Sequence, residues 1–289
     1  MMATSRDTLQ RILVTRSSLV TQLAAAGIGE GTIVLAHVGL SRLGYVCGAA
    51  QAVIEALLDA VGPNGTLMMP SFSGELSDPA TWRFPPVPDD WVEPMRREMP
   101  PFDPILTPTR QMGVVAELFR TWPGVRRSSH PHSSFCAFGP QAVTLVGQHP
   151  LEFRFGPRSP LGRLAALDGT IVLLGAGIDR ASVVYLGQYL AGIGEFVLKS
   201  SPMLVDGERR WVEYEDFAAS NPHVVAGMTR LLACGIARRH PVGDGEAIVF
   251  SARRAVTELA NWAWRGSEVT SVAVRPVTTP PTDWTDWLH

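Results

Sequence analysis

The fold of this 289-residue chain is decided by Gly169-Thr170-Ile171-Val172-Leu173-Leu174-Gly175-Ala176-Gly177-Ile178-Asp179-Arg180-Ala181-Ser182-Val183-Val184-Tyr185-Leu186-Gly187-Gln188. Its apolar first part predicts a buried strand, and its glycines predict a tight turn into a helix. In α/β proteins, small ligands bind at the carboxyl end of such a strand. The turn lacks the third glycine of a dinucleotide-binding motif, so a plain strand-to-helix turn is the favoured interpretation.

Apolar periodicity extends this unit towards the N-terminus. Helical spacing predicts helices over residues 8–26 and 49–61. Short apolar runs at residues 32–36 and 66–70 predict buried strands. Strand, helix and strand in this order predict a parallel α/β unit. Helical spacing then returns at residues 113–120.

Residues 71–109 are rich in proline and tryptophan. This composition predicts an ordered, functional active-site loop without regular helix or central strand. The variable C-terminal portion, residues 199–274, predicts antiparallel strands and helices, with Asp206-Gly207 as a hairpin turn. No boundary is visible between these parts, so residues 1–289 are predicted to form a single domain.

Charge and composition exclude several classes of protein. A net charge of -2 without a basic block indicates that neither nucleic acid nor an anionic membrane is a partner. Residues 1–10 lack the apolar core of a signal peptide, and no run approaches the roughly 18 apolar residues of a membrane span. A cytoplasmic protein is therefore expected. Three widely spaced cysteines favour neither a disulfide framework nor a metal site.

Several polar residues stand where a ligand would bind. His37 follows a predicted strand, and both ligand contact and a structural hydrogen-bonding role are consistent with that position. His130 and His132 lie two residues apart without a third ligand nearby, which favours structural or substrate contact over metal binding. Asp179 is expected to be the N-cap of a helix beginning near Arg180, with substrate contact as the second interpretation.

A series of motifs gives the chain a resemblance to a known family. In chain order, the motifs are Gly44-Tyr45-Val46-Cys47-Gly48, Gly62-Pro63-Asn64-Gly65-Thr66-Leu67-Met68-Met69-Pro70, Leu76-Ser77-Asp78-Pro79-Ala80-Thr81-Trp82, Pro85-Pro86-Val87-Pro88-Asp89-Asp90-Trp91, Thr107-Pro108-Thr109-Arg110-Gln111-Met112-Gly113, Phe119-Arg120-Thr121-Trp122-Pro123, His130-Pro131-His132, Ser159-Pro160-Leu161 and Leu167-Asp168-Gly169. With these motifs, the chain resembles the aminoglycoside N3-acetyltransferases of the antibiotic N-acetyltransferase family. The C-terminal third is similar only loosely.

The resemblance implies an antibiotic N-acetyltransferase-like α/β fold, with a central mostly parallel sheet flanked by helices and a C-terminal mixed α/β portion. It also implies acetyl-coenzyme A as the donor of an acetyl group to an amine. In family members this is classically the 3-amine of a 2-deoxystreptamine antibiotic. There a histidine acts as general base, and a glutamate one helical turn later orients it.

The chain departs from the family pattern at this catalytic pair. Where the family has histidine and glutamate, it has Tyr185 and Gln188, which share one helix face because they are three residues apart. A tyrosine with a pKa of about 10 is a poor base at neutral pH, and glutamine supplies no negative charge. Apart from the resemblance, the pair is interpreted as a packed tyrosine and an exposed glutamine.

A second departure lies in His37-Val38-Gly39-Leu40-Ser41, where the family has His-Ser-Ser-Leu-Ser. Two hydroxyl groups near the thioester are therefore absent.

Together, the motifs and departures give a set of candidate site residues. We predict that Tyr185 positions or polarises the acyl carbonyl or the substrate, and that His37 or His130 accepts the proton. The predicted substrate contacts are Asp78, Trp82, Asp179, Gln188, Glu215 and Asp216. The predicted coenzyme A contacts are Ser41, Leu43, Gly44, Thr109, Gly113 and Ser134.

The leading hypothesis is an acyl-coenzyme A-dependent N-acyltransferase, or a related acyl-group enzyme, that modifies a small amine-bearing metabolite in specialised biosynthesis. Its donor is acetyl-coenzyme A or another acyl-coenzyme A, no metal is expected, and the protein is a monomer or a homodimer. One alternative is an aminoglycoside 3-N-acetyltransferase that uses a different base. Another is a non-catalytic ligand-binding homologue that keeps the scaffold.

Overall fold

The computed structural model describes residues 11–83, 85–218, 221–262, 286 and 288. Its strands are β1 (Leu13–Val14), β2 (Ile33–Val38), β3 (Tyr45–Val46), β4 (Thr66–Pro70), β5 (Arg126–Arg127), β6 (Phe135–Phe138), β7 (Thr170–Leu174), β8 (Phe196–Val205), β9 (Glu208–Phe217), β10 (Arg238–Val242) and β11 (Gly245–Ser251). Its α-helices are α1 (Arg16–Ala25), α2 (Ala49–Val61), α3 (Asp89–Glu98), α4 (Val114–Arg120), α5 (Ala142–Val146), α6 (Pro160–Ala166), α7 (Val183–Leu190), α8 (Asn221–Ala233) and α9 (Ala252–Asn261).

A central sheet organises the described residues. Its seven strands follow the order β10-β11-β7-β2-β4-β6-β5. The middle strand β2 pairs in parallel with β4 and β7, and the remaining pairings are antiparallel. Two antiparallel steps restore the original direction, so β10 and β5 run with β7, β2 and β4, and only β11 and β6 run against them. The predicted α/β fold with a central, mostly parallel sheet is confirmed.

Apolar side chains alternate between the two faces of the sheet. In β2, Leu35 belongs to the core cluster formed with helices α5 to α9. Its neighbours Val34 and Ala36 belong to the cluster formed with α1, α2 and α4. Because successive strand residues point to opposite faces, one fully apolar strand holds helices on both sides. The helices therefore flank the sheet, as predicted.

Several helices and strands have the bounds that the sequence predicts. Helix α2 and strand β4 begin and end where the periodicity places them, and β2 continues to Val38. The first helix was predicted over residues 8–26, and this is wrong at its start, because α1 begins at Arg16. Thr15 is its N-cap and forms a capping box with Ser18, which fixes the start. Residues 8–10 lie outside the described residues.

The segment 71–109 contains a helix that the sequence did not predict. Helix α3 occupies Asp89–Glu98 and begins after Pro88, where a missing N–H group costs no helical hydrogen bond. Two aspartates in its first turn and two arginines in its last turn match the helix dipole. The helix contains an internal proline, Pro94. Strand β9 holds the C-terminal end of the helix in place, because Trp211 Nε1 donates to the carbonyl of Arg96 at 2.8 Å.

Strands β8 and β9 form the predicted antiparallel hairpin. They are joined at Asp206 and Gly207, whose φ values of 54° and 80° are those of the predicted turn. Along its buried face, Lys199 pairs with Tyr214, and Asp216 follows two residues later. Residues 219, 220 and 263–274 of the portion 199–274 lie outside the described residues.

No helix among the described residues has the length and apolar character needed to cross a membrane.

A buried neutral histidine makes stability depend on pH. His149 Nε2 donates to the carbonyl of Arg154 at 2.8 Å, and its Nδ1 lies 2.9 Å from Ser128 Oγ. Burial lowers the pKa of His149 from 6.5 to about 3. Between these values the unfolded chain binds more protons than the folded chain, so the free energy of unfolding falls as the pH falls.

We expect His149→Gln to weaken this acid dependence, because glutamine keeps hydrogen-bonding groups and does not titrate. At pH 7 the variant loses about 1–2 kcal/mol, since the two buried hydrogen bonds are perturbed. Urea unfolding between pH 4 and about 7 measures both quantities. An unchanged slope of stability against pH would contradict the assignment.

Candidate active site

A cavity of about 520 Å³ opens at the carboxyl ends of the three parallel strands. Strand β2 contributes His37 and Val38 to its wall, and β4 contributes Pro70. Gly175 follows β7, and Tyr185 comes from α7. Parallel strands in α/β sheets bind ligands at this edge, because the loops that follow them diverge there.

A contact between two glycines forms the floor of the cavity. Gly39 N donates to the carbonyl of Leu174 at 2.9 Å, and Val38 bridges Gly175. A Cβ at Gly39 would lie 2.3 Å from the carbonyl oxygen of Gly175. Side chains therefore do not fit between these segments as they lie in this chain, which has glycine where the resemblance leads one to expect serine.

His37 provides a neutral imidazole in the cavity wall. Its side chain is buried, and Nε2 lies 3.4 Å from Ser182 Oγ. Burial, aided by the charge of Arg180, lowers the pKa of His37 to about 4. The ring is therefore neutral at pH 7 and accepts a proton only weakly.

Tyr185 also lines the cavity. Its ring stacks on Phe155 with centroids 4.9 Å apart and planes inclined by 15°. Burial raises the pKa of Tyr185, although the nearby Arg154 acts in the opposite direction. The hydroxyl therefore stays protonated at neutral pH and is suited to donate a hydrogen bond.

Gln188 lies one helical turn after Tyr185 and is completely buried. The prediction of an exposed glutamine is wrong, because the core cluster around α8 and α9 covers this part of α7. Neither Oε1 nor Nε2 has a hydrogen-bond partner among the described residues. Unpaired buried amides are rare, since each costs about 1–3 kcal/mol.

His130 does not line the cavity, and its geometry is structural. Its Nδ1 accepts hydrogen bonds from the backbone N–H groups of His132 and Ser133, both at 3.1 Å. Its Nε2 lies 3.1 Å from the carbonyl of Leu151. Both ring nitrogens are thus used within the fold. The predicted proton-accepting role of His130 therefore needs correction, while His37 keeps a place in the cavity.

Three of the four predicted acidic substrate contacts are paired with arginine. Asp78 forms a bidentate pair with Arg96 at 2.6 and 2.9 Å. Asp179 lies 3.0 Å from Arg180 in a short 3₁₀ turn, and Asp216 contacts Arg154. The N-cap prediction for Asp179 is wrong, because α7 begins after Ser182.

Two other predicted substrate contacts, Trp82 and Glu215, are not among the residues that line the cavity. Glu215 is exposed, since its neighbours Tyr214 and Asp216 occupy the buried face of the hairpin. Trp82 is half-buried, and its Nε1 donates to Ser77 Oγ at 2.9 Å. Trp82 therefore stabilises the loop that carries Asp78.

Among the predicted coenzyme A contacts, Gly113 lines the cavity. Leu43 is fully buried, and Gly44 packs closely against the carbonyl of Ile12. Ser41 is exposed on the surface.

Two further predicted contacts hold the fold together. Thr109 N donates to Glu117 at 2.7 Å, and the hydroxyl of the buried Ser134 donates to the carbonyl of Ser71 at 2.8 Å. Both residues thus have structural partners.

Sequence reasoning missed two charged residues near Tyr185. Arg154 is buried, and its guanidinium lies 4.9 Å from the centroid of the Phe155 ring. Lys199 Nζ lies 3.5 Å from Asp216 Oδ2. The only available signal was that Lys199 is the one lysine among 25 basic residues.

No group of three or more histidine, cysteine, aspartate or glutamate side chains is placed to hold a metal ion in the part of the chain that the structure describes.

Comparisons with known proteins identify the family. Residues 35–263 match the family model described as aminoglycoside 3-N-acetyltransferase. The chain belongs to this family. Its members are N-acetyltransferases, which assigns the chain to the acyltransferases.

Individual relatives cover most of the chain. The SPbeta prophage-derived aminoglycoside N(3')-acetyltransferase-like protein YokD of Bacillus subtilis is 43% identical over 203 residues, which are 70% of this chain and 75% of YokD. The crystal structure of YokD matches with a TM-score of 0.83 at 38% identity, covering 86% of this chain and 92% of that chain. Aminoglycoside N(3)-acetyltransferase IX of Micromonospora chalcea is 34% identical over 264 residues, covering 86% and 93% of the two chains.

One structural relative was solved as a binary complex with coenzyme A. This protein, AAC-IIIb, matches with a TM-score of 0.76 at 29% identity, covering 86% of this chain and 96% of that chain.

The glycine contact on the cavity floor gives a direct test. We expect Gly39→Ala to destabilise the protein by about 1–3 kcal/mol, because the new methyl group forces the ends of β2 and β7 apart. Gly29→Ala is the matched control, since a Cβ there meets nothing within 4 Å. Thermal unfolding compares the two variants. Equal melting temperatures would show that the Gly39–Gly175 contact is not the constraint described.

Proposed function

We propose that this protein is an acyl-coenzyme A-dependent N-acyltransferase that modifies a small amine-bearing metabolite. The observation that carries the proposal is the cavity at the carboxyl ends of β2, β4 and β7, with His37 and Tyr185 on its walls. A neutral imidazole and a protonated phenol suit a reaction in which charge develops on an acyl oxygen.

The residues present support one form of acyl transfer. A neutral amine attacks the thioester carbonyl, a C–N bond forms, and the C–S bond breaks. The proton that the nitrogen loses ends on the sulfur, so that coenzyme A leaves as the thiol. The Tyr185 hydroxyl donates a hydrogen bond to the developing oxyanion, and His37 accepts a hydrogen bond from the attacking amine. Because His37 is a weak base, amines that are already neutral at pH 7 are the favoured acceptors.

Arg42 supports a coenzyme A donor. It contributes to the cavity wall, as does Arg180, which pairs with Asp179, and a guanidinium pairs well with phosphate oxygens. Gly39 and Gly113 line the cavity without side chains of their own, which suits a slender chain such as pantetheine. We assign acetyl-coenzyme A or another acyl-coenzyme A to this cavity.

A second candidate function is aminoglycoside 3-N-acetylation with a different base. It is favoured by the family to which the chain belongs and by the activity for which the relative from Micromonospora chalcea is named. The pairing of Asp78, Asp179 and Asp216 with arginines favours another acceptor, because an aminoglycoside carries several ammonium groups. We therefore place the protein in a biosynthetic step on a less cationic amine.

Calorimetry with acetyl-coenzyme A and free coenzyme A is the first test of this proposal. We expect micromolar binding, because the cavity supplies both a channel and cations. Binding without turnover over a range of amines would favour a non-catalytic ligand-binding protein. Absence of binding in a folded sample would overturn the proposal.

We expect Tyr185→Phe to lower kcat by about 10²–10³, because it removes a hydrogen-bond donor to the oxyanion. Tyr45→Phe is the matched control, since Tyr45 lies 59% exposed on β3. Steady-state kinetics with the preferred amine measures the effect. Equal kcat values for the two variants would show that Tyr185 is not part of the catalytic site.

The double variant Tyr185→His with Gln188→Glu restores the family's pair. If the scaffold is otherwise competent, acceptors with strongly basic amines should gain about 10²–10⁴ in rate, the usual contribution of a general base. The single variant Gln188→Glu is the control, because a carboxylate without the imidazole supplies no base to the amine. No gain in the double variant would show that other parts of the site have also diverged.

A further inference from the structure

The buried face of the β8–β9 hairpin is unusually polar. Its strands place Lys199 opposite Tyr214, and Ser201 and Asp216 lie on the same face. Ser201, Tyr214 and Asp216 are each at most 3% exposed. Burying such a face costs free energy unless its polar groups have partners, so its composition calls for a functional explanation.

Charge at this face is unbalanced. Asp216 is the carboxylate that both Arg154 and Lys199 contact. When Lys199 is protonated, one of the two cations is therefore left without a compensating charge. Burial, aided by the repulsion of Arg154, lowers the pKa of Lys199 to about 7, so an anionic ligand would favour the protonated form.

Arg154 also has an unused donor. The residue is 6% exposed, and its Nε finds no hydrogen-bond acceptor among the described residues. Its Nη1 contacts Asp216, but neither Nη1 nor the two Asp216 oxygens complete a hydrogen bond there. A buried guanidinium normally uses its donors, because desolvation makes each unpaired N–H costly. An anionic ligand would supply both the missing acceptor and the missing charge.

This cationic pair is connected to the reaction site. Phe155 stacks on Tyr185 and also lies beneath the guanidinium of Arg154. The Lys199 side chain is 25% exposed, so a ligand reaches it from solvent. An acceptor whose anionic group meets Lys199 and Arg154 therefore extends its other end towards Tyr185.

We propose that Arg154 and Lys199 form a subsite for a carboxylate, so that the acceptor is an amine that also carries a carboxylate group. This inference rests on the proposed acyltransferase function and names its substrate class. It departs from the aminoglycosides after which the relatives are named. The carboxylate fixes the orientation of the acceptor, while its amine reaches the thioester carbonyl beside Tyr185.

Matched pairs of amines test the subsite. The probes are 4-aminobenzoate with 4-aminobenzamide, and γ-aminobutyrate with its amide. Within each pair only the carboxylate changes, and the aromatic pair presents an amine that is neutral at pH 7. Calorimetry gives the dissociation constants with and without saturating coenzyme A. We expect each acid to bind at least about tenfold more tightly than its amide, as for a charged hydrogen-bonded pair.

Variants of the hairpin locate the effect. Lys199→Gln should remove most of the preference for the acid, and Lys199→Arg should keep it. Arg210→Gln makes the same change of charge near the hairpin tip, roughly 20 Å along β9 from Asp216, and should leave the preference unchanged. Thermal unfolding verifies that each variant is folded. If Lys199→Gln does not fold, the ratio of the acid and amide dissociation constants of the wild-type protein still tests the inference.

The outcomes separate this inference from the proposed function. Equal affinity for acid and amide, whether both bind or neither does, overturns the carboxylate subsite. So does an unchanged ratio in folded Lys199→Gln, or tighter binding of the aminoglycoside kanamycin than of any acid. Coenzyme A binding is measured separately, and its absence overturns the acyltransferase proposal alone.

Discussion

The contact between Gly39 and Gly175 is the constraint on which the site depends. It lets the ends of β2 and β7 stay side by side one residue beyond the sheet, where Val38 bridges Gly175. The two segments then separate. Gly39 leads into the turn that contains Arg42, and Gly175 leads towards α7. The cavity is the space opened by this separation. His37 and Tyr185 lie on its walls, beside the glycine contact that holds the two strand ends together.

Much of the fold could be predicted because its signals are local. Helix α2 has an apolar face and ends at Gly62-Pro63, and the hairpin turn carries the residues that its backbone requires. Helix α3 lacked such a signal, since Pro88 and Pro94 weigh against a helix within the segment itself. What stabilises its C-terminal end is the contact between Trp211 and the Arg96 carbonyl, which joins residues 115 positions apart.

The site could be predicted only in part, for a similar reason. The strand and turn pattern singled out His37 and Asp179, the family resemblance singled out Tyr185, and all three line one cavity. Neither revealed Arg154 and Lys199, which approach Asp216 only once the hairpin has folded over the sheet. Periodicity likewise showed which residues share a face with Gln188, and gave no information about which elements cover that face.

The departures from the family pattern form one electrostatic change. A histidine–glutamate pair works by placing a negative charge beside a group that becomes positive during the reaction. In this chain position 188 is neutral. The charged group with the largest effect on the pKa of Tyr185 is the cation Arg154. An imidazolium at position 185 would be disfavoured there, whereas a phenol stays neutral and donates a hydrogen bond. The same cation that disfavours a positively charged base also attracts an anionic group. A site with these charges is consequently suited to an acceptor whose amine arrives neutral and whose negative charge lies elsewhere in the molecule.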